Sequence, residues 1–227
     1  MDKFTRPETT LILSSSVDGR ITSRDSDELD PNKNWKKKQG VRGILQQFFD
    51  FAVDKDIYVL TTGQAMARSG INIKTVSPQK INLKLIVIDQ PPHLTPKGII
   101  YLAKCIKKLF VVTDKKHPNL SLKHKPKNLT NITYPNEIDL KDLMHQLKTK
   151  YKINKITIQS AGVLNSHWIE MGLVDHLTVI IYPLLIGNSG TPVLVNQEPL
   201  KIRPLRLVTS RIFNNNYLFL RYDVVND

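Results

Sequence analysis

The chain has 227 residues, of which 41% are hydrophobic and 23% are charged, and this composition excludes a chain that is disordered throughout. Its length favours a single domain over residues 1–227. The one cysteine, Cys105, excludes an intramolecular disulfide and a cysteine-rich zinc site. The sequence shows neither a secretory signal nor an apolar run long enough to span a bilayer, so we expect a soluble, cytoplasmic protein.

The net charge of +13 is concentrated between residues 97 and 127, where nine lysines accompany one acidic residue. Such a segment can attract nucleic acid, an acidic lipid surface or a phosphorylated small molecule, and it can equally be a solvated surface. Only Tyr101 and Phe110 interleave with these lysines, which is few aromatic side chains for a single-stranded nucleic-acid platform. We therefore expect no nucleic acid and no membrane as a partner.

Short apolar strands alternate with helical patterns along the chain. Strands are predicted, in order, at residues 9–14, 57–60, 84–88, 109–112, 156–158 and 177–181. Amphipathic helices are predicted at 41–52, at 140–147 with Asp139 as the cap, and at 163–169 with an end near Gly172. Residues 25–38 are predicted to form a loop. Two β-rich runs, 205–213 and 217–225, flank three asparagines and predict a C-terminal hairpin. The pattern predicts an α/β fold with a mixed, mainly parallel sheet flanked by helices.

Three short motifs follow predicted strands, where ligands bind in open α/β sheets. Residues 14–21 combine small hydroxyl side chains with an Asp-Gly turn, which permits close approach of a ligand or is an ordinary turn. Residues 61–64 precede a predicted short helix at 65–67, and residues 159–165 begin another helix with small side chains. Both arrangements suit a phosphate at a helix N-terminus. A plain βα turn explains residues 61–64 as well, and tight strand–helix packing explains residues 159–165. The six histidines show no metal-ligand spacing, so we expect no metal.

The pattern from Arg6 to Ile21 resembles the opening of the reductase domain of bacterial riboflavin biosynthesis, the RibD C-terminal domain, which has a dihydrofolate-reductase-like fold. The pattern from Gly162 to Gly187, with its Leu-Asn, Trp-Ile-Glu, Leu-Val-Asp and Pro-Leu-Leu-Ile-Gly elements, resembles the C-terminal signature of the same family. The resemblance extends to about Tyr222. The zinc-ligand motif of the deaminase domain that accompanies this reductase is missing, so we expect no deaminase domain.

The resemblance implies a homodimer and an NADPH cofactor. By similarity, the residues on the phosphate side of the cofactor would be Thr61, Gly63 and Gln64, and Thr113 would approach the adenosine. The pyrophosphate and nicotinamide side would be contacted by Ser160, Ala161, Gly162, Val163 and Leu164. Ser16 and Asp18 would be catalytic, and Arg20 and Gln159 would bind substrate. Lys115 or Lys116 would receive the 2′-phosphate, and the proton would come from water, Ser16 or Asp18.

Two segments depart from the family pattern. Gln159-Ser160-Ala161 stands where the family usually has Glu-Gly-Gly, and Arg68-Ser69-Gly70 stands where it usually has an acid followed by Asn-Pro. We predict an NADPH-dependent reductase of a small pyrimidine or related compound, resembling the 5-amino-6-(5-phosphoribosylamino)uracil reductase and transferring a hydride to a C=N or C=O carbon. Because both departures remove negative charge, the alternative is a cofactor-binding relative with another substrate or little activity. A basic nucleic-acid-binding domain is the third possibility.

Overall fold

A computed structural model describes residues 4–21, 35, 58–76, 78–160, 162–187, 193–195, 202–213 and 216–225. The chain divides into two compact units, the first formed by Met1–Pro7 and Lys55–Ile156 and the second by Glu8–Asp54 and Thr157–Asp227. The helix predicted at 41–52, and the loop predicted at 25–38 apart from Trp35, lie outside the described residues. Within the described ranges, no helix combines the length and apolar character needed to cross a membrane.

Strands and helices alternate through most of the chain. The strands are β1 (Glu8–Ser16), β2 (Tyr58–Thr62), β3 (Ile81–Ile88), β4 (Ile106–Asp114), β5 (Leu129–Tyr134), β6 (Lys155–Ile158), β7 (His176–Tyr182), β8 (Leu205–Phe213) and β9 (Tyr217–Val224). The α-helices are α1 (Gly63–Arg68), α2 (Pro96–Cys105), α3 (Leu140–Thr149) and α4 (Gly162–Glu170), and there are 3-10 turns at Ile71–Ile73 and Pro118–Ser121. The boundary between the two units falls within β6.

The first unit contains parallel strands in the order β5-β4-β3-β2. Its core is formed by the apolar runs of β3 and β4, which are buried on both faces as expected for a parallel sheet. Helix α3 begins as predicted, because the Asp139 carboxylate accepts hydrogen bonds from the amides of Lys141 and Asp142. Helix α2 and strand β5 were not predicted, because α2 mixes lysines into a short apolar pattern and β5 alternates with polar residues.

The second unit has strand order β1-β7-β9-β8, with a parallel β1/β7 pair and antiparallel β7/β9 and β8/β9 pairs. The predicted C-terminal hairpin and the mixed, mainly parallel character of the fold are therefore confirmed. Part of its core is an apolar cluster of Ile12, Trp35, Ile180, Tyr182 and Tyr217. In the hairpin turn, the Asn216 amide donates to the Phe213 carbonyl (3.0 Å), while residues 214 and 215 lie outside the described part of the chain.

Several strands extend past their predicted ends, and in β1, β2 and β4 this places predicted site residues inside the sheet. Strand β1 runs to Ser16 rather than residue 14, because Ser15 and Ser16 continue the ladder with β7. Strand β2 runs to Thr62 rather than residue 60, and Thr61 pairs with Val87 of β3. The serine and threonine side chains predicted a loop at these positions. Their backbones nevertheless continue to pair with the neighbouring strand, so the residues stay in the extended conformation.

Candidate functional site

The turn after β1 brings together the three residues predicted there. The Ser16 hydroxyl donates to Asp18 Oδ1 (2.6 Å) and accepts from the Arg20 amide (2.9 Å). The Ser16 amide in turn donates to the Arg20 carbonyl (2.8 Å). Gly19 has a φ of +78°, which explains the glycine in this Asp-Gly turn. Ser16, Asp18 and Arg20 thus form one hydrogen-bonded turn in which Asp18 is exposed and Ser16 is buried.

The carboxylate of Asp18 also fastens the loop that follows β7. It accepts hydrogen bonds from the amides of Ile186 (3.2 Å) and Gly187 (2.7 Å). The hydrogen bonds from Ser16, Gly187 and Ile186 favour the charged form and lower the pKa of Asp18 to about 2. A carboxyl group with that pKa is ionised at neutral pH, so Asp18 holds two loops together and has no proton to donate.

The segment after β6 contains the second set of predicted residues in this unit. Gln159 is half-buried, and its amide makes no hydrogen bond to any other described residue. Gly162 is buried with a φ of +50°, and Val163, which follows it in the first turn of α4, is 52% exposed. Leu164 is half-buried, and Ala161 lies outside the described residues. This strand end therefore presents a side-chain amide without a partner among the described residues, followed by a helix that begins at a glycine.

Asn165 holds this segment in place, a role that the sequence pattern alone did not indicate. Its side chain is completely buried; Oδ1 accepts from the Ser160 hydroxyl (2.6 Å) and Nδ2 donates to the Leu194 carbonyl (2.8 Å). Ser160, predicted to face the cofactor, thus donates its hydroxyl proton within the chain. The Leu-Asn element of the C-terminal pattern had marked the position without showing its contacts.

In the first unit, the predicted residues lie at the ends of β2 and β4. Thr61, Gly63 and Thr113 are buried, and Gln64 alone among the four exposes its side chain. The Thr113 hydroxyl donates to the main-chain carbonyl of Asp89 (3.0 Å). The short helix predicted after β2 is confirmed as α1, and the Thr62 hydroxyl caps it by accepting from the Ala65 amide (3.2 Å).

Asp89, directly after β3, is the central residue of this end of the first unit, and sequence reasoning missed it. Its completely buried carboxylate accepts hydrogen bonds from the amides of His93 (2.8 Å) and Leu94 (3.0 Å). It also pairs with Nε2 of the buried His117 (2.7 Å). The available signals were a lone acid at the end of a buried apolar run and one histidine within a lysine-rich segment.

The hydrogen bonds around His117 define its tautomer. Nδ1 accepts from the Asn119 amide (3.1 Å), so the proton is on Nε2, which donates to Asp89. Burial raises the pKa of Asp89, but the hydrogen bonds from His117, Leu94 and His93 outweigh it and hold the pKa below its ordinary value. Among the described residues, no group of three or more His, Cys, Asp or Glu side chains is placed to hold a metal ion.

The lysine-rich segment reaches both ends of β4. Lys104 and Lys107, together with Lys80, line an open groove at the amino ends of β3 and β4. Lys115 and Lys116 directly follow the carboxyl end of β4, close in sequence to Thr113. The positive charge of this segment is therefore distributed over two ends of the first unit, and the groove contains none of the predicted site residues.

Comparison with known proteins finds similar sequences and structures among riboflavin biosynthesis proteins. The riboflavin biosynthesis protein RibD of Buchnera aphidicola subsp. Baizongia pistaciae is 28% identical over 194 residues, which are 80% of this chain and 50% of that protein. RibD of Acinetobacter baumannii, form 1, has a similar structure with a TM-score of 0.68 and 19% identity, over 97% of this chain and 59% of that one. The riboflavin biosynthesis reductase Rib7 of Saccharomyces cerevisiae gives a TM-score of 0.65 and 17% identity, over 99% of this chain and 93% of that one.

The structural likenesses, at these low identities, support the dihydrofolate-reductase-like fold. The chain spans about half the length of the curated relative that it matches. The family model of the RibD C-terminal domain matches residues 7–219, a range that includes the turn at Asp18, the network at Asp89 and the segment after β6. The chain therefore belongs to the RibD C-terminal domain family.

Proposed function

We propose that this protein is an NADPH-dependent reductase that transfers a hydride to a C=N or C=O carbon of a phosphoribosylamino-pyrimidine or a related compound. The observation that carries the proposal is the match of the RibD C-terminal domain model to residues 7–219. Because this one family model runs through both compact units, we also propose that residues 1–227 act as one reductase domain.

The described residues fit a nicotinamide dinucleotide. Helix α4 has no acidic residue in its first turn, so no carboxylate of its own would repel a phosphate group at its start. Gly162 begins α4 without a side chain, which suits close approach of a pyrophosphate to the backbone. NADPH, when bound, supplies the hydride. In the second unit, Gly162, Val163, Leu164 and the preceding Ser160 and Ala161 are the residues proposed to contact it.

In the first unit, Gln64 is the residue proposed to contact the phosphate side of the cofactor through its side chain. Thr61, Gly63 and Thr113 are buried, so we propose that they act through the backbone and through the packing of their strand ends. Lys115 and Lys116 supply the positive charge that favours NADPH over NADH. Equal dissociation constants for the two cofactors at physiological salt would contradict this preference.

The substrate side of the proposal involves Asp18, Arg20 and Gln159. Asp18 is ionised, so its proposed contribution is to orient the Ser16 turn and the loop at Gly187. The Ser16 hydroxyl proton is directed at Asp18, which leaves water as the proposed source of the proton. Gln159 offers an uncharged amide to the substrate, whereas a glutamate at this position would offer a stronger, charged acceptor.

The test is hydride turnover by the purified full chain. NADPH oxidation is followed with the phosphoribosylamino-pyrimidine of riboflavin biosynthesis and with other pyrimidine substrates, and NADPH binding is titrated beside a random oligonucleotide. Turnover of any of these substrates supports the reductase. Tight NADPH binding without turnover supports a cofactor-binding relative, which the loss of charge at Gln159 favours. Oligonucleotide binding with a steep salt dependence and no NADPH binding overturns the proposal.

We further propose a homodimer that covers β8. This strand is the outermost in the order β1-β7-β9-β8 and exposes Leu207, Val208 and Ile212. Light scattering at micromolar concentration tests the dimer, and a monomer contradicts it. Ile212→Lys should then dissociate it. Ile73→Lys is the matched control, because Ile73 is 78% exposed and Ile212 is 72% exposed, but Ile73 lies in the first unit outside any strand.

A further inference from the structure

The carboxyl ends of β2, β3 and β4 all meet the side chain or backbone of Asp89. The carboxylate binds the His93 and Leu94 amides after β3 and the His117 imidazole after β4. The main-chain carbonyl of Asp89 accepts the hydroxyl proton of Thr113, the penultimate residue of β4. One residue thus connects the loops that follow two neighbouring strands.

The residue that follows β2 packs closely against the side chain of Asp89. Gly63, the first residue of α1, lies so close to Asp89 that a Cβ built at position 63 would overlap the Asp89 carboxylate. The φ of Gly63 is not positive, so the need for glycine here is steric rather than conformational. Position 63 is therefore explained by the buried carboxylate, whether or not a phosphate approaches it.

Gln90 extends the connection to β5. Its Nε2 donates to Asp114 Oδ2 (3.2 Å) and to the Asn136 carbonyl (2.8 Å), and its Oε1 accepts from the Ile138 amide (3.1 Å). Asp114 ends β4, while Asn136 and Ile138 lie in the connection between β5 and α3. The two consecutive residues Asp89 and Gln90 together contact β4 and the segments that follow β2, β3 and β5.

We propose that Asp89 and His117 are positioning residues that hold the ends of β2, β3 and β4 in the arrangement that receives the adenosine and phosphate side of NADPH. The inference rests on the proposed function, because it takes Gln64 and the lysines after β4 as the nucleotide-contacting part of the first unit. Both side chains are buried, so neither touches the nucleotide itself.

The physical reason is the cost of leaving buried polar groups unpaired. The imidazole of His117 is held at both nitrogens, by Asp89 and by the Asn119 amide, and it thereby fixes the segment that directly follows Lys115 and Lys116. Loss of the imidazole leaves the Asp89 carboxylate without the shortest of its three hydrogen bonds in a dry environment. We expect the loops to rearrange until water reaches the carboxylate, and this would displace the residues that contact the nucleotide.

The experiment compares three variants of the full chain. His117→Leu removes both hydrogen bonds at similar volume, and His117→Gln keeps a donor that can reach Asp89. His124→Leu is the control, because His124 lies in the same lysine-rich segment but is exposed and makes no hydrogen bond to any other described residue. Calorimetry measures the dissociation constants of NADPH, of its bisphosphorylated adenosine half and of reduced nicotinamide mononucleotide. Circular dichroism confirms that each variant is folded.

We expect His117→Leu to weaken binding of the adenosine half and of NADPH by about tenfold or more, because only a minor fraction of the protein would then keep the binding-competent arrangement of the loops. Binding of the mononucleotide should be unchanged, and kcat at saturating NADPH should stay constant while KM for NADPH rises. His117→Gln should recover most of the affinity, and His124→Leu should match the unmodified protein.

Two results would overturn the positioning role, and they differ from failure of the reductase proposal. If folded His117→Leu binds the adenosine half as tightly as the unmodified protein does, the role is refuted while the reductase stands. If His117→Leu weakens the binding of the adenosine half and of the mononucleotide equally, the effect is general destabilisation and the role is again refuted. If the unmodified protein binds no NADPH, the reductase proposal fails first. Should His117→Leu not fold, the same measurements on Asp89→Asn, which keeps the shape of the side chain, decide between these results.

Discussion

Asp89 in the first unit and Asp18 in the second both follow a parallel strand, and both accept hydrogen bonds from the loops around them. Asp89 is completely buried and binds His93, Leu94 and His117. Asp18 is exposed and binds Ser16, Ile186 and Gly187. Both carboxyl groups have a lowered pKa, although burial opposes the shift more strongly at Asp89.

The difference between the two networks lies in what replaces a lost partner. At Asp18, water can hydrogen-bond to any donor that the carboxylate releases. At Asp89, the same loss leaves donors in a dry environment, where an unpaired polar group is costly. An aspartate at a strand end can therefore hydrogen-bond to exposed loops, where water can replace it, or it can be an essential part of a buried network. Only its burial distinguishes the two cases.

Replacing each aspartate by alanine tests this difference most directly. Asp89→Ala leaves His117 Nε2–H and two backbone amides without an acceptor, so we expect the free energy of unfolding to fall by about 3 kcal/mol or more. Asp18→Ala should lower it much less. Urea unfolding followed by circular dichroism provides the measurement, and equal losses for the two variants would contradict the argument.

The contrast also shows which parts of the molecule the sequence reveals. The long apolar runs predicted β3, β4 and the α3 stripe, because burial requires those residue types at those spacings. The Asp-Gly pair marked the turn at Asp18, because positive φ at Gly19 leaves a local signature. The network at Asp89 has no local signature: His117 is 28 residues away in the chain, and only the fold brings the two together.

Substitutions at Gly162 test the proposed cofactor contact in the second unit, and they leave no buried charge without a partner. Its φ of +50° means that Gly162→Val adds backbone strain as well as a side chain, whereas asparagine tolerates this conformation. We expect both Gly162→Val and Gly162→Asn to raise the NADPH dissociation constant by about tenfold or more, since a side chain would separate the cofactor from the helix start. Only the valine variant should also unfold at lower urea concentration.

Fluorescence titration with NADPH measures the affinity of both variants, and Gly19→Asn is the control. Gly19 has a similar positive φ, and a Cβ at that position would meet nothing within 4 Å. Unchanged affinity in folded Gly162→Asn would mean that the cofactor does not approach this helix start.

Acid titration sharpens the comparison at Asp18. Its pKa falls from the ordinary 3.8 to about 2 on folding, so the unfolded chain binds the proton more tightly than the folded one. The stabilisation from the ionised group is therefore fully present above about pH 4 and is lost as the pH falls through about 2. Asp18→Asn should unfold more easily than the unmodified protein at neutral pH, and the two curves should converge near pH 2. A constant difference across this range would show that the carboxylate charge contributes nothing.

Gln159→Glu should have the smallest effect on binding and stability, and it tests the departure from the family pattern. Gln159 is half-buried, and a carboxylate can replace its side-chain amide without breaking a hydrogen bond to any described residue. A charged acceptor forms a hydrogen bond stronger than that of an amide by about 1 kcal/mol, which corresponds to a several-fold increase in turnover if the bond forms mainly in the transition state.

We therefore expect Gln159→Glu to raise kcat on the phosphoribosylamino-pyrimidine several-fold, by about the factor that one charge-assisted hydrogen bond supplies, while NADPH affinity is nearly unchanged. Glu170→Gln is a suitable control for the change of side-chain type, because Glu170 ends α4 on the same segment of chain. If the unmodified protein already turns this substrate over rapidly, the missing carboxylate is unnecessary and the argument fails. If Gln159→Glu changes only stability, Gln159 is a polar strand-end residue that does not contact the substrate, and the loss of charge there carries no information about which pyrimidine the protein reduces.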